Sequence, residues 1–172
     1  MGQLITSKLR AATPADASSL AALAIEVWFG TYIRQGINAH FADFALAQFT
    51  PDRFQGWIDD EDHVLIVSQN HDGIDGFIHL DQGSLDPVGG TVLGEVVSLY
   101  IQPRHQGRGL GTALLHAGSR GRDAPIWLAV NCENTKAGDF YAAQGFTKLG
   151  EIGFKIGSES YPNDILVSPA FV

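Results

Sequence analysis

Apolar residues recur along this chain at two spacings, and the switches between them divide it into elements. Leu20, Leu23, Ala24 and Val27 follow the i, i+3, i+4, i+7 spacing of a helix with one buried face. Thr13-Pro14-Ala15-Asp16 precedes them with a capping hydroxyl, a proline in the first turn and an acid three residues after the cap. A helix running to about residue 32 is predicted. Residues 3–10 read as a strand, and residues 38–58 as a second helical region interrupted near Thr50-Pro51. Residues 63–69 and 74–81, on either side of the turn residues 70–73, read as a hairpin. A loop over 83–90 leads to a long strand over 92–101. Leu110, Ala113, Leu114 and Ala117 share one face of a helix predicted over 109–120. Then come a short apolar strand at 126–130, a helix at 135–144 ended by Gly145, and closing strands at 146–156 and 165–168.

Strand, helices, three strands, helix, strand, helix, strands is the order of an α/β or α+β sheet protein, without the strict alternation of a doubly wound fold. The 172 residues suit a single domain over 1–172. One cysteine, Cys132, rules out an intramolecular disulfide framework and a cysteine-rich zinc site, and it suits a reducing cytoplasm. The six histidines show no His-Glu-x-x-His spacing, so no metal is expected. Eleven basic against nineteen acidic residues give a net charge of -8, which argues against a nucleic-acid partner and leans towards cationic ones such as amines. The apolar stretch over 20–25 is far short of a membrane span, and no charged segment followed by an apolar run opens the chain. A cytoplasmic location without membrane attachment is expected.

The segment that carries chemistry runs from the strand at 92–101 into Pro103-Arg104-His105-Gln106-Gly107-Arg108-Gly109-Leu110-Gly111-Thr112 and then a helix. Glycines let a backbone turn tightly and come close to a bulky ligand, and a helix start aims its N–H groups and positive dipole end at the turn before it. Together they make an anion site, usually for a phosphate. No lysine follows Gly111, so a nucleoside-triphosphate loop is excluded. A Gly-x-Gly-x-x-Gly reading fails because Thr112 or Leu114 stands at its last position.

Gln106, Gly109 and Gly111 fit Gln-x-x-Gly-x-Gly, and Arg104, Gly107 and Gly109 fit the same frame from an arginine. This resembles the pyrophosphate-binding motif of the GNAT superfamily of N-acetyltransferases. Further on, Asn134, Ala137, Phe140, Tyr141, Gly145 and Phe146 resemble that superfamily's second conserved block, in the right order and separation. The close resemblance covers residues 92–147, about a third of the chain. It implies a mixed, mostly antiparallel sheet with a splayed central parallel strand pair and helices on both faces, and acetyl-CoA as co-substrate.

By the same resemblance, Leu99, Tyr100 and Ile101 offer backbone groups to the pantetheine arm. Gln106, Gly107, Arg108, Gly109, Leu110, Gly111 and Thr112 hold the pyrophosphate, with added charge from Arg104 or Arg108. Asn134 bonds the pantetheine, or caps its helix, or does both. Ala137 and Phe140 line the cofactor. Tyr141 sits near the sulfur as proton donor, its competing role being a place in the core.

Transfer to an amine requires the ammonium to lose a proton and the departing thiolate to gain one. Glu95, among apolar neighbours early in the strand, is the candidate base, acting directly or through water. Cys132 has no activating partner nearby in sequence, so transfer is expected to be direct. His79 closes a strand and reads as a packed or solvent-facing side chain ahead of an acceptor-site group. Trp28 and Tyr32, four apart on the first helix, are the acceptor-side candidates with the loop over 33–44. The acceptor is expected to be a small-molecule amine or a peptide. The different-class alternative is a non-catalytic acyl-CoA-binding or sensor module on the same fold. Family members are often dimers, which keeps a homodimer open.

Overall fold

The computed structural model describes residues 7–169. Its strands are β1 (Lys8–Ala11), β2 (His63–Gln69), β3 (Ile74–Asp81), β4 (Glu95–Ile101), β5 (Trp127–Asn131), β6 (Thr147–Ile156) and β7 (Glu159–Val167). Its helices are α1 (Ala17–Tyr32), α2 (Ala39–Gln48), α3 (Pro51–Asp59), α4 (Leu110–Ser119) and α5 (Thr135–Ala143). The strand order is β1-β2-β3-β4-β5-β7-β6, mostly antiparallel, with β4 and β5 parallel. This is the mixed α/β sheet that the resemblance implied. No helix of the described residues is long and apolar enough to cross a membrane.

Most boundaries follow the local pattern. The break at Thr50-Pro51 separates α2 from α3, with Asn38 and Thr50 as side-chain caps that accept from Phe41 N and Arg53 N. Three boundaries differ. The first strand is observed from Lys8, and residues 3–6 lie outside the described part. The strand predicted from 92 begins at Glu95, because Leu93 and Gly94 turn their N–H groups to Ser84 O and Val92 makes only an isolated bridge to Leu85. The last strand begins at Glu159, six residues before its apolar stretch. There β6 recruits a polar, Pro162-containing segment through antiparallel register, Ile156 opposite Glu159.

The described residues form two compact units, 7–79 with 98–118 and 80–97 with 119–169. In the first, α1 buries Leu20, Leu23, Ala24 and Trp28, and α3 buries Phe54 edge-on to Phe77 of β3 at 5.7 Å. Leu114 and Leu115 of α4 are fully buried in the same unit. Gly76 of β3 is required by a close approach. A Cβ there would lie 2.7 Å from Ile101 Cδ1, 3.1 Å from Tyr100 O and 3.3 Å from Leu114 Cδ1.

In the second unit, β6 and β7 form a hairpin and β7 pairs with β5 from Trp127–Val167 to Asn131–Asn163. Ile126, Leu128, Phe146, Ile156 and Ile165 supply its apolar interior. The parallel register sets Glu95 opposite Trp127, the first residue of each strand, and Trp127 N donates to Gly94 O at 3.0 Å.

The entry to α1 is held by an ion pair. Asp16 accepts from Arg10 Nη1 at 2.7 Å and Nη2 at 2.9 Å, and from Thr13 N at 2.8 Å. The Arg10 hydrogen bonds outweigh burial and hold its carboxyl at about 2, against 3.8 when free. A depressed folded-state value means that the stabilisation is present above pH 4 and disappears as pH falls towards 2. Asp16→Asn should therefore cost about 1 kcal/mol near neutrality, the usual scale of a lost cap. Urea unfolding at pH 7 and pH 3 checks this: the gap from wild type should narrow at pH 3.

Candidate active site

The glycine turn lies in the first unit. β4 ends at Ile101, and Pro103–His105 form a single 3-10 turn. Gln106 sends its Nε2 back to Ile101 O at 3.0 Å, which fixes the start of the loop to the strand end. Its side chain thus works inside the turn. Gly107 and Gly109 take φ of +75° and +83°, a region costly for residues with a Cβ. Beyond the adjacent residues, no atom of the described residues lies within 4 Å of the Cβ that either would carry. The turn is therefore open on the outside, with Arg104 and Arg108 exposed along it. α4 starts at Leu110, and its first internal bond runs from Ala113 N to Gly109 O. Gly111 and Thr112 thus belong to the first turn, where backbone amides point out of the helix. An exposed positive-φ turn leading into a helix start is the cradle that an anionic diphosphate fits.

Leu99 and Tyr100 are half-buried and Ile101 is buried. The Tyr100 ring packs edge-on to Phe77 at 5.6 Å and Phe49 at 6.4 Å. Burial pushes its phenol up to about 12, so it is neutral near pH 7. Trp28 stacks on Tyr32 at 4.6 Å and on Phe44 at 5.1 Å, and meets Phe41 and Phe49 edge-on. Only 4% of Trp28 is exposed, which makes it the anchor of an aromatic cluster, whereas Tyr32 is half-buried at its margin. His79 is a packed residue: it is buried, its Nε2 lies 2.9 Å from His63 Nδ1, and burial lowers it to about 3. The tautomers of the two rings decide which nitrogen donates.

The groups suited to proton transfer lie in the second unit. Glu95 is half-buried, and desolvation raises its carboxyl above the ordinary value. Asp81 pushes in the same direction, whereas Ser84 Oγ, donating to Glu95 Oε2 at 3.0 Å, opposes it. A carboxylate pushed upward yet tied at one oxygen is oriented and more basic than a solvated one. Asp86 organises the loop that delivers Ser84: its carboxylate accepts from Val88 N, Thr91 N and Gly89 N. Ser84 and Asp86 escaped the sequence reading, since a serine eleven residues from its partner carries no local pattern.

Asn134 caps α5, accepting from Ala137 N at 3.2 Å. Ala137 and Phe140 are half-buried on that helix. Tyr141 is buried between Phe140 at 5.1 Å and Phe146 at 5.3 Å. Its core packing is thus real, and it holds the ring in one place. Cys132 Sγ donates to Asp164 Oδ1 at 3.3 Å, and desolvation together with that carboxylate pushes the thiol up, away from the nucleophilic thiolate. Asp164 and Glu151 near Cys132 already hold the Lys148 amine, at 2.8 and 2.6 Å.

A family model of the acetyltransferase (GNAT) domain matches residues 60–148. An uncharacterised N-acetyltransferase of Mycobacterium tuberculosis is 29% identical over 157 residues, 88% of this chain and 96% of its own length. The PaiA N-acetyltransferase of Thermoplasma acidophilum, solved in complex with coenzyme A, shares the fold at TM-score 0.75 and 18% identity, covering 96% of this chain and 99% of that one. YncA of Salmonella typhimurium, a putative acetyltransferase solved with acetyl-CoA, does so at TM-score 0.68 and 18% identity, covering 94% and 92%.

The Ser84 bond to Glu95 favours the charged carboxylate. Ser84→Ala should therefore raise the Glu95 pKa further. Carbon-13 NMR titration of the side-chain carboxyl reads this directly, and an unchanged or lowered midpoint refutes it.

Proposed function

Because this chain belongs to the GNAT family of acetyltransferases, we propose that it moves the acetyl group of acetyl-CoA directly to a primary amine of a small molecule or peptide. One observation carries the reading: the open, positive-φ glycine turn of Gly107 and Gly109 at the start of α4. That turn, with Leu110, Gly111 and Thr112, would take the pyrophosphate, and Arg104 and Arg108 would add charge to it. The backbone of Leu99, Tyr100 and Ile101 would take the pantetheine arm, assisted by Asn134, Ala137 and Phe140. Residues 1–172 would act as one acetyltransferase domain, in the cytoplasm and without a metal.

The acceptor enters as an ammonium and must become an amine. Glu95 removes that proton, directly or through water, and burial has moved its carboxyl towards the range where this is productive. The amine nitrogen then forms its bond to the thioester carbonyl carbon as the carbon–sulfur bond breaks. Tyr141 gives its phenolic proton to the departing thiolate, and the proton that the acylated nitrogen sheds returns through solvent to restore the phenol. Its packing against Phe140 and Phe146 supplies orientation in place of a freely rotating donor. On the acceptor side, Tyr32 at the margin of the aromatic cluster would meet the substrate, and Trp28 would hold Tyr32 in place. The net charge of -8 favours a small cationic amine.

Free-thiol release from acetyl-CoA against polyamines, amino acids, aminoglycosides and short peptides tests the function. Amine-dependent release supports it. CoA binding without release across the panel supports the sensor module instead. Gly109→Glu should remove detectable CoA binding in a protein whose thermal unfolding stays cooperative, because it puts bulk and negative charge where the diphosphate goes. Unchanged affinity there defeats the loop assignment. Tyr141→Phe should lower kcat on the order of 10²-fold with the CoA Kd nearly unchanged. Undiminished turnover removes Tyr141 from the proton path.

A further inference from the structure

Asp75, the second residue of β3, is fully buried and has no part in the proposed chemistry. Its Oδ2 accepts from Ser7 Oγ at 2.7 Å and from Asn70 Nδ2 at 3.1 Å. The same oxygen stands 3.9 Å from His105 Nδ1, on a side chain only 17% exposed. Oδ1 is buried without a hydrogen-bond partner among the described residues. The backbone carbonyl of Asp75 accepts from Gln102 N at 2.9 Å. One residue thus reaches the approach to β1, the β2–β3 turn and the segment that opens the glycine loop.

Keeping a carboxylate in such a place is expensive, because a buried acceptor left unpaired loses its hydration without replacement. Two neutral donors on one oxygen offset only part of that cost. His105 faces the carboxyl group from the side of the oxygen that Ser7 and Asn70 already hold. Its Nδ1–H can donate in the neutral or the charged form, and it lies about an ångström beyond bonding distance. His105 also sits in the 3-10 turn that immediately precedes Gln106 and Gly107. Gly76, next to Asp75, presses against Tyr100 O and Ile101 at the root of the same turn. Gly107 and Gly109 carry no side chain to hold the turn, so its order comes from the segment before them and from α4 after them, where Ala113 N donates to Gly109 O.

We propose that Asp75 is a positioning residue for the pyrophosphate-binding turn, acting through His105 and the Gln102 amide to hold residues 102–109 in the shape that receives the cofactor. The proposal rests on the reading of that turn as an acetyl-CoA site. A preorganised loop loses less freedom on binding, so removing its anchor weakens binding of the diphosphate and leaves the reacting groups as they were.

The test uses the full chain carrying Asp75→Asn, His105→Gln or both, with two donors: acetyl-CoA, and the acetyl thioester of N-acetylcysteamine, which has the thioester but no diphosphate. Each single variant should raise the KM for acetyl-CoA roughly tenfold, because the turn must then be ordered on binding, with kcat within about twofold. The double variant should be no worse than either single one. Turnover of the truncated donor should be unaffected. Equal losses with both donors, additive effects, or no effect in either variant overturn the proposal. His105→Gln changes a turn residue and keeps the test valid if Asp75→Asn fails to fold. Wild-type protein that binds no CoA by calorimetry defeats the acetyl-CoA reading itself, whereas wild-type binding matched by both variants defeats only the role of Asp75.

Discussion

No side chain fits where β3 passes the end of β4. At Gly76 the gap to Tyr100 O and to the Ile101 and Leu114 side chains is smaller than a methyl group needs. This contact sets where β4 ends relative to α4, and hence where the backbone between them must turn. Pro103 stops the strand, Gln106 ties the turn to Ile101 O, and the positive-φ glycines carry the chain into the helix. The open turn is the result of a crowded root and an uncrowded tip. Crowding supplies order, because close-packed atoms have few alternative arrangements. Glycine supplies access, because a backbone without Cβ can be approached by a ligand.

The ionisable groups of the two units are tuned by one force, desolvation, opposed to different degrees by hydrogen bonds. Burial raises Glu95 and Tyr100 and lowers His79, each towards its neutral form. Hydroxyls that favour the charged form oppose that push at two of the three, Ser84 at Glu95 and Ser98 at Tyr100. Asp16 and Asp86 show the opposite balance. Donors crowd their carboxylates and keep them charged, which makes them structural anchors for the start of α1 and for the loop before β4.

The aromatic side chains divide their work in a similar way. Trp28 stacks with both Tyr32 and Phe44 and contributes burial and rigidity. Tyr32 keeps one side towards the margin of the cluster. Tyr141 is confined by Phe140 and Phe146, and a phenol held in that way is an oriented group whether it donates a proton or only a hydrogen bond.

The linear sequence determined what depends on near neighbours. The β2–β3 hairpin, the break between α2 and α3, the helices α4 and α5 and the Gln106–Gly111 motif are all written within ten or so residues. Turn geometry, capping and helical spacing act over that distance. The two conserved-looking blocks carried the family, and the family carried the sheet. Tertiary structure alone decided what depends on distant partners. It shortened β4 through the Ser84 contacts and lengthened β7 by pairing it with β6. It put Trp28 in the core, gave Glu95 its serine and left Asp75 buried beside His105. Register, desolvation and a buried carboxyl held by donors from separate segments arise from residues far apart in the chain, and no local pattern of hydrophobic and polar positions encodes them.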